Sequence, residues 1–378
     1  MCIRDRHLEE ILTEEDLRKL VESGTQLKHY IGFEISGKLH IGSGIMSALV
    51  IKDLMEAGVD CNVLLADWHT WINDKLGGDM DVIQKVAVGY FKEALKASMK
   101  CVGGDPEKIN FILGSEFYHN NDKYWQSFVD ISKNLTLARV VKSSTIMGRA
   151  EGENQIFARL LYPPMQVNDI YSMGINIAHA GIDQRKAHVI AREVAKGLKV
   201  NPLLDKDGNK IKPIALHHHL VLGLLKPPKW PVEKSELRGM LSEMKMSKSK
   251  PMSAVFINDS PEEIQEKIKN AFCPEGEVEY NPVLDWAKHL IFRGEEKEFV
   301  IERPEKWGGN IVVNSYKELE EKFASKEVHP MDLKAKVAQE IVDLLEPARK
   351  HFKKGSAKEF LEEFTELHDK FQKEKRLR

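Results

Sequence analysis

The apolar period of the chain changes several times, and each change marks an element. From His7 to about Ser23, Leu8, Ile11, Leu12, Leu17, Leu20 and Val21 recur among charges at helical spacing. This predicts two short helices, with Thr13 and Asp16 placed to cap the second. Tyr30-Ile-Gly-Phe has the pattern of a short buried strand, and Gly37-Lys-Leu-His-Ile-Gly-Ser-Gly supplies a turn into a helix from Ile45 to Glu56. The succession repeats with a strand from Cys61 to Asp67, an amphipathic helix from Asp79 to Met99, and a strand from Ile109 to Leu113 with a helix after it. Such alternation predicts an α/β fold with helices covering a parallel sheet. Ligands in these folds lie beyond the carboxyl ends of the strands, near a switch in strand order. Functional residues are therefore expected on loops after strands and at helix starts. From Ser260-Pro-Glu-Glu onward, where Ser caps and Pro takes the first helical position, helical signals dominate. The boundary is placed near Ile257, giving domains at 7–257 and 258–378.

A length of 378 residues gives room for roughly two cores. With 42% hydrophobic and 30% charged residues the composition is that of a soluble globular protein, and no apolar run approaches the ~20 residues that span a bilayer. Cys2, Cys61, Cys101 and Cys273 are too scattered for a disulfide framework or a CxxC metal site. Together with an N-terminus lacking an apolar signal segment, this predicts a cytoplasmic protein. The opening Met-Cys-Ile-Arg-Asp-Arg is unlike the rest of the chain and carries no structural weight. A net charge of −2 leaves any nucleic-acid contact to local basic patches.

Three stretches carry chemistry. His40-Ile41-Gly42-Ser43 precedes a helix start, where free N–H groups and the positive dipole end favour a phosphate. Lys245-Met246-Ser247-Lys248-Ser249-Lys250 groups cations suited to a phosphorus centre whose charge appears only in the transition state. Taken singly, the first is also compatible with a structural histidine and the second with a solvated basic loop. In Tyr162-Pro-Pro-Met-Gln166-Val-Asn-Asp169, prolines in a first helical turn put Tyr162, Gln166 and Asp169 on one face. A buried polar stripe of this kind needs partners, from the protein or from a ligand.

KMSKS about two hundred residues after an HIG loop resembles the paired signature of class I aminoacyl-tRNA synthetases. The Tyr162/Gln166/Asp169 stripe, Tyr30 before the HIG loop and Asp183-Gln184 after a glycine resemble the tyrosyl-tRNA synthetases of the archaeal/eukaryotic type. The resemblance implies a Rossmann-type catalytic domain followed by a mainly α-helical anticodon-binding domain. It implies activation of tyrosine by ATP, with Mg²⁺, to an adenylate and pyrophosphate, then transfer to the 3′ end of tRNA(Tyr). Tyr30 and Asp169 would hold the phenolic hydroxyl, and Tyr162, Gln166 and Gln184 the α-amino group. His69 either lines that pocket or packs at a strand end. Asp183 would take the ATP ribose, while His40, Gly42, Met246, Ser247 and Lys248 meet the rest of ATP. His40, Gly42, Lys245 and Lys248 would stabilise the transition state. Ser43 departs from the usual histidine at the end of the first motif.

Arg185-Lys186 match a pair that contacts the acceptor stem in this branch, or else form a solvated helix start. Trp307, His329 and Asp332 lie in stretches resembling its anticodon-binding motifs, with Trp307 offering a stacking face and Asp332 an acceptor for a guanine edge. Trp307 is also compatible with an ordinary core position. The row His217 to His219 carries no metal expectation, because neighbouring side chains diverge and no second ligand cluster is visible in the sequence. No protein-bound zinc is expected, and a homodimer is implied by the family alone. Leu224 to Met244 looks like an insertion, and Lys373 to Arg378 forms a basic tail. Two rivals share much of this: a sibling enzyme for tryptophan, against which the polar stripe argues, and a catalytically inactive tRNA-binding paralogue. Intact Lys245, Lys248, Asp183 and Gln184 argue against the second.

Overall fold

The computed structural model describes residues 7–148, 156–232, 244–248 and 250–377, with side chains to residue 371. Part of the expected insertion (233–243), Ser249 and the opening hexapeptide lie outside the described residues, as do the side chains of the basic tail.

Six strands form the central sheet: β1 (Leu8–Leu12), β2 (Lys28–Phe33), β3 (Asp60–Leu65), β4 (Asn110–Leu113), β5 (Ile177–Gly181) and β6 (Ile214–His218), in the order β1-β6-β5-β2-β3-β4. All neighbours run parallel except β1, which is antiparallel to β6. The chain proceeds from β2 outward to β4, then crosses to the other side for β5 and β6. Strand order therefore reverses between β2 and β5, where a crevice opens at the carboxyl ends.

Side chains divide by the period of two. Ile31, Phe33, Val63, Leu65, Ile177 and Leu216 enter a core shared with helices Ile41–Glu56 and Lys92–Cys101. Tyr30, Leu64 and Ala178 point to the other face, against Val167, Ile170 and Ile190. Coverage on both faces is why these strands appear as short apolar runs rather than alternating ones.

The expected α/β order is present, with local differences. Leu8–Leu12 is a strand, not a helix, because its backbone pairs with β6 from Leu8↔His218 to Leu12↔Ala215, and pairing outweighs spacing in so short a segment. The next helix, Glu14–Glu22, forms as expected; Thr13 accepts from the Asp16 N–H, so Asp16 sits in the first turn and Thr13 alone caps. The third strand stops at Leu65, and Asp67 already opens the short helix Asp67–Ile72. A π segment, Ala87–Phe91, interrupts the expected Asp79–Met99 helix. At its Gly89 a β-carbon would come 3.0 Å from Phe360, so glycine admits the final helix Gly355–Leu377. Phe364 of that helix stacks on Tyr90 at 4.3 Å, which gives the C-terminal extension a packing role on the catalytic region.

After Ser260, which forms a capping box with Glu263, helices Pro261–Lys269, Pro282–Trp286, Tyr316–Ala324 and Pro330–Leu344 dominate as expected. They are joined by a small antiparallel hairpin, β7 (Phe299–Ile301) and β8 (Ile311–Val313), too short to stand out in the sequence. Val283, Trp286, Leu290 and Leu333 continue the apolar core that begins at the sheet.

A row of buried histidines crosses the sheet. His29 on β2 meets His179 on β5 at 3.1 Å, and His179 meets His218 on β6 at 2.8 Å. Burial lowers His29 to about 3 and His218 to about 4. Because the folded values lie below the usual 6.5, the unfolded chain binds protons that the folded chain refuses; stability present above that pH is lost on acidification. His29→Gln, which keeps a polar partner for His179, should flatten the fall in unfolding free energy between pH 6.5 and 4 by about 1.4 kcal/mol per pH unit. Urea unfolding at several pH values measures this; equal slopes in both proteins would contradict it.

Candidate active site at the strand-order switch

The crevice between β2 and β5 holds a cavity of about 270 Å³. That is near the small end of ligand pockets, roughly 300–1,000 Å³, and suits a small molecule rather than a polymer. It is lined by Tyr30, His40, Gly42, His69, Tyr162, Gln166, Asp169, Asp183, Gln184, Lys245 and Met246, among others. Residues far apart in sequence, each expected to act, thus share one cavity. Ser247 and Lys248 stand outside its lining.

At its floor lies Asp169, fully buried on the helix Tyr162–Ser172. Its Oδ1 accepts from the hydroxyls of Tyr118 (3.1 Å) and Tyr124 (3.0 Å). Oδ2 has no hydrogen-bond partner among the described residues; His69 Nε2 is 3.6 Å away. Burial raises the Asp169 carboxyl to about 7, against the lowering effect of the two tyrosines, and lowers His69 to about 4. His69 lies on Asp67–Ile72 and meets the Tyr162 ring edge to face at 4.6 Å, so it both lines the cavity and packs. Gln166 donates to Gln184 Oε1 at 3.3 Å, and Gln184 donates to the Ile146 carbonyl at 2.9 Å. Gln166 Oε1, buried, also lacks a protein partner among the described residues. Two orphaned acceptors in one cavity are costly unless a ligand supplies donors.

Glu34, just past the end of β2, belongs to none of the sequence motifs. Burial raises its pKa, while Lys75, Asn73, Tyr162 and Lys248 act in the opposite sense. Asn73 donates to it at 2.9 Å. The rule that sites lie past the carboxyl ends of strands points to this position. Tyr118 and Tyr124 carry no comparable sign, since their role exists only once two helices pack.

The upper part of the cavity is charged. His40 caps the helix Ile41–Glu56, which therefore begins four residues before the expected start. Its Nδ1 accepts from the Ser43 N–H at 3.2 Å, and Ser43 Oγ lies 3.3 Å from Nε2. Burial, with Lys248 and Lys245 nearby, lowers His40 to about 3. The ring is neutral, and with Nδ1 accepting, its proton sits on Nε2. Ser43 thus orients the imidazole from both sides. Gly42 lets Met246 approach: a β-carbon there would meet its sulfur at 3.3 Å.

The His40 loop is bonded to the segment that follows the lysine loop, since Ile41 N–H donates to the Val255 carbonyl and Ile257 N–H to the Leu39 carbonyl. Lys245 forms an ion pair with Asp183 at 2.8 Å. Lys248 donates to Ser36 Oγ at 2.8 Å and lies over the Phe91 ring; burial lowers it to about 8. Ser247 N–H donates to the buried Ser253 hydroxyl.

A family model for class I tRNA synthetases (W and Y) matches residues 22–346. The chain is 59% identical to the tyrosine–tRNA ligase of Thermococcus sibiricus over 92% of each chain. The chain belongs to the tyrosyl-tRNA synthetases. Its fold superposes on the tyrosyl-tRNA synthetase of Pyrococcus horikoshii, solved with L-tyrosine, with a TM-score of 0.90, 54% identity and 95% of each chain covered. The Aeropyrum pernix tyrosyl-tRNA synthetase gives 0.78 at 37% identity over 96% of each.

The residues expected to meet RNA lie outside the cavity. Arg185 opens the helix Arg185–Val194 and pairs with Glu10 of β1 at 2.8 Å; Lys186 bonds the Lys142 carbonyl and Thr145 Oγ1. Trp307 is 67% exposed, so it is not a core tryptophan of this synthetase. His329 caps the helix Pro330–Leu344, and Asp332 lies in its first turn. Arg303 bonds the Gly309 and Glu327 carbonyls, tying the Trp307 turn to the segment before His329.

The histidine row departs from expectation at one point. The fold brings Asp285 and His289 to His219, three possible ligands within 4.8 Å. The rings of His219 and His289 stack at 3.9 Å and 16°, and both Nε2 atoms face Asp285 Oδ1, at 2.7 and 3.8 Å.

Proposed function

We propose that this tyrosine–tRNA ligase seats the phenol of L-tyrosine on Asp169 and Tyr30, and its ammonium among Tyr162, Gln166, Gln184 and Glu34. The observation carrying this reading is the unpartnered Asp169 Oδ2 at the floor of the cavity, with Gln166 Oε1 in the same cavity. A phenolic hydroxyl gives the first its donor and an ammonium gives the second. Phenylalanine leaves Oδ2 unpaired, and a site built around a hydroxyl rejects the analogue lacking it by ~10⁵, a figure measured for an enzyme of this same family.

ATP enters above the amino acid, its ribose on Asp183 and its phosphates at the start of the Ile41–Glu56 helix, close to His40 and Gly42. Met246 and Ser247 border it. The tyrosine carboxylate attacks the α-phosphate and pyrophosphate leaves; the tRNA ribose hydroxyl then attacks the tyrosyl carbonyl and AMP leaves. The protein contributes positioning, together with charge from Lys245 and Lys248 where negative charge grows. Mg²⁺ travels with ATP. The carboxylates lining the cavity, Glu34, Asp169 and Asp183, are engaged by Asn73, by tyrosines and by Lys245, so the phosphates supply the ion's main ligands.

For tRNA(Tyr), Arg185 and Lys186 meet the acceptor stem at the cavity rim, while Trp307, His329 and Asp332 receive the anticodon. Catalysis is assigned to 7–257 and tRNA reading to 258–378. Trp125 with Val129 and Leu137 with Val141, exposed apolar pairs at helical spacing, support a homodimer across this surface. No described helix is long and apolar enough to cross a membrane, and free Cys61, Cys101 and Cys273 suit the reducing cytoplasm.

Tyrosine-dependent ATP–pyrophosphate exchange, run with each of the twenty amino acids, should respond to tyrosine alone; exchange with tryptophan alone, or with none, would sink the assignment. Only ionised Asp169 accepts the phenol freely, so tyrosine affinity should rise as pH is raised through about 7. Asp169→Asn should give a flat profile and binding weaker by about tenfold or more; a flat wild-type profile between pH 6 and 8 would contradict this. Asp332→Ala should lower tRNA charging and spare exchange, and its role in tRNA reading is wrong should exchange vanish.

A further inference from the structure

The segment before the lysine loop is held by two consecutive side chains from the C-terminal region. Leu222 follows β6, and its N–H donates to Asp285 Oδ2 at 2.9 Å. Its carbonyl accepts from the indole N–H of fully buried Trp286 at 2.8 Å. Both backbone groups of Leu222 are thus satisfied by neighbouring side chains of the Pro282–Trp286 helix, in the way a strand partner would satisfy them.

Against this fixed residue lies the start of the loop. Leu222 bridges to Lys245 in antiparallel fashion, and Gly223 N–H donates to the Met244 carbonyl at 2.7 Å. A β-carbon at Gly223 would come 3.1 Å from the carbonyl oxygens of Met244 and Lys245, so the approach is close enough to favour glycine. One residue on, Leu224 N–H donates to the Ser253 carbonyl on the far side of the loop. Both ends of the lysine loop therefore rest on residues 222–224. Asp285 is itself fixed: Oδ1 accepts from His219 Nε2 at 2.7 Å, and His219 Nδ1 is bonded to Glu9 of β1.

We propose that Asp285 and Trp286 are positioning residues for Lys245: they hold Leu222 as the rail on which the base of the lysine loop is laid. Neither touches the cavity. They act through one backbone residue on a cation that must reach a phosphate in the transition state, where a displacement of about 1 Å costs up to ~100-fold in rate. This positioning role rests on the part that Lys245 plays in the proposed reaction.

The test uses Asp285→Ala, Trp286→Phe and Lys245→Ala in the full chain. Tyrosine affinity by equilibrium binding does not involve Lys245 and should stay within about twofold, whereas the exchange rate constant falls about tenfold or more. Combining either clamp variant with Lys245→Ala should add little further loss, because both remove the same interaction. Trp286→Phe preserves most of the ring volume and keeps the test open should Asp285→Ala fail to fold. Full exchange in both clamp variants, a parallel loss of tyrosine affinity, or losses that multiply with Lys245→Ala would each overturn the proposal. A Lys245→Ala protein with normal exchange would instead remove the parent reading of that lysine, and this proposal with it.

Discussion

A carboxylate placed where water cannot reach it governs the rest of the site. Asp169 is fully buried, and a lone ion there carries a desolvation cost of several kcal/mol. Tyr118 and Tyr124 offset part of that cost at one oxygen and leave the other, also buried, without a hydrogen-bond partner among the described residues. Everything around it serves this asymmetry. The aromatic walls keep the dielectric low, neutral His69 adds no competing cation, and prolines 163 and 164 occupy the first turn of the helix that carries Asp169.

The charged half of the cavity works by a different principle. Lys245 is brought to it on a loop and paired with Asp183, while the neutral imidazole of His40 is pinned at a helix start. The backbone N–H at position 43, which any residue but proline would supply, accounts for the bond to Nδ1, and the Ser43 hydroxyl adds a contact at 3.3 Å to Nε2. The hydrogen bonds between residues 39–41 and 255–257 tie the His40 loop to the segment just after the lysine loop.

The parts visible in the sequence are those whose physics is local. Helix periods, the capping box at Ser260 and the Tyr162/Gln166/Asp169 face follow from spacing, and the structure reproduces them. Leu8–Leu12 departs from its helical spacing because five residues carry too little periodic signal, and only pairing with β6 decides their conformation. The β7/β8 hairpin escapes for the same reason. Glu34, Tyr118, Tyr124 and the meeting of His219 with Asp285 depend on which elements come together. That information is spread over long-range packing, so no window of sequence contains it. The exposed position of Trp307 belongs to the same class, since its residue type suits a core equally well.

The ion pair between Lys245 and Asp183 has a consequence for how salt acts on the enzyme. At 2.8 Å the lysine and the carboxylate neutralise each other. Under the proposed assignment, a nucleotide would exchange the carboxylate for phosphate at the lysine and free the carboxylate toward the ribose. Added electrolyte weakens the contact that is broken as well as the contact that is formed. The two effects partly cancel, so on that assignment nucleotide capture would be buffered against changes in ionic strength, unlike the recognition of an RNA backbone by exposed lysines and arginines.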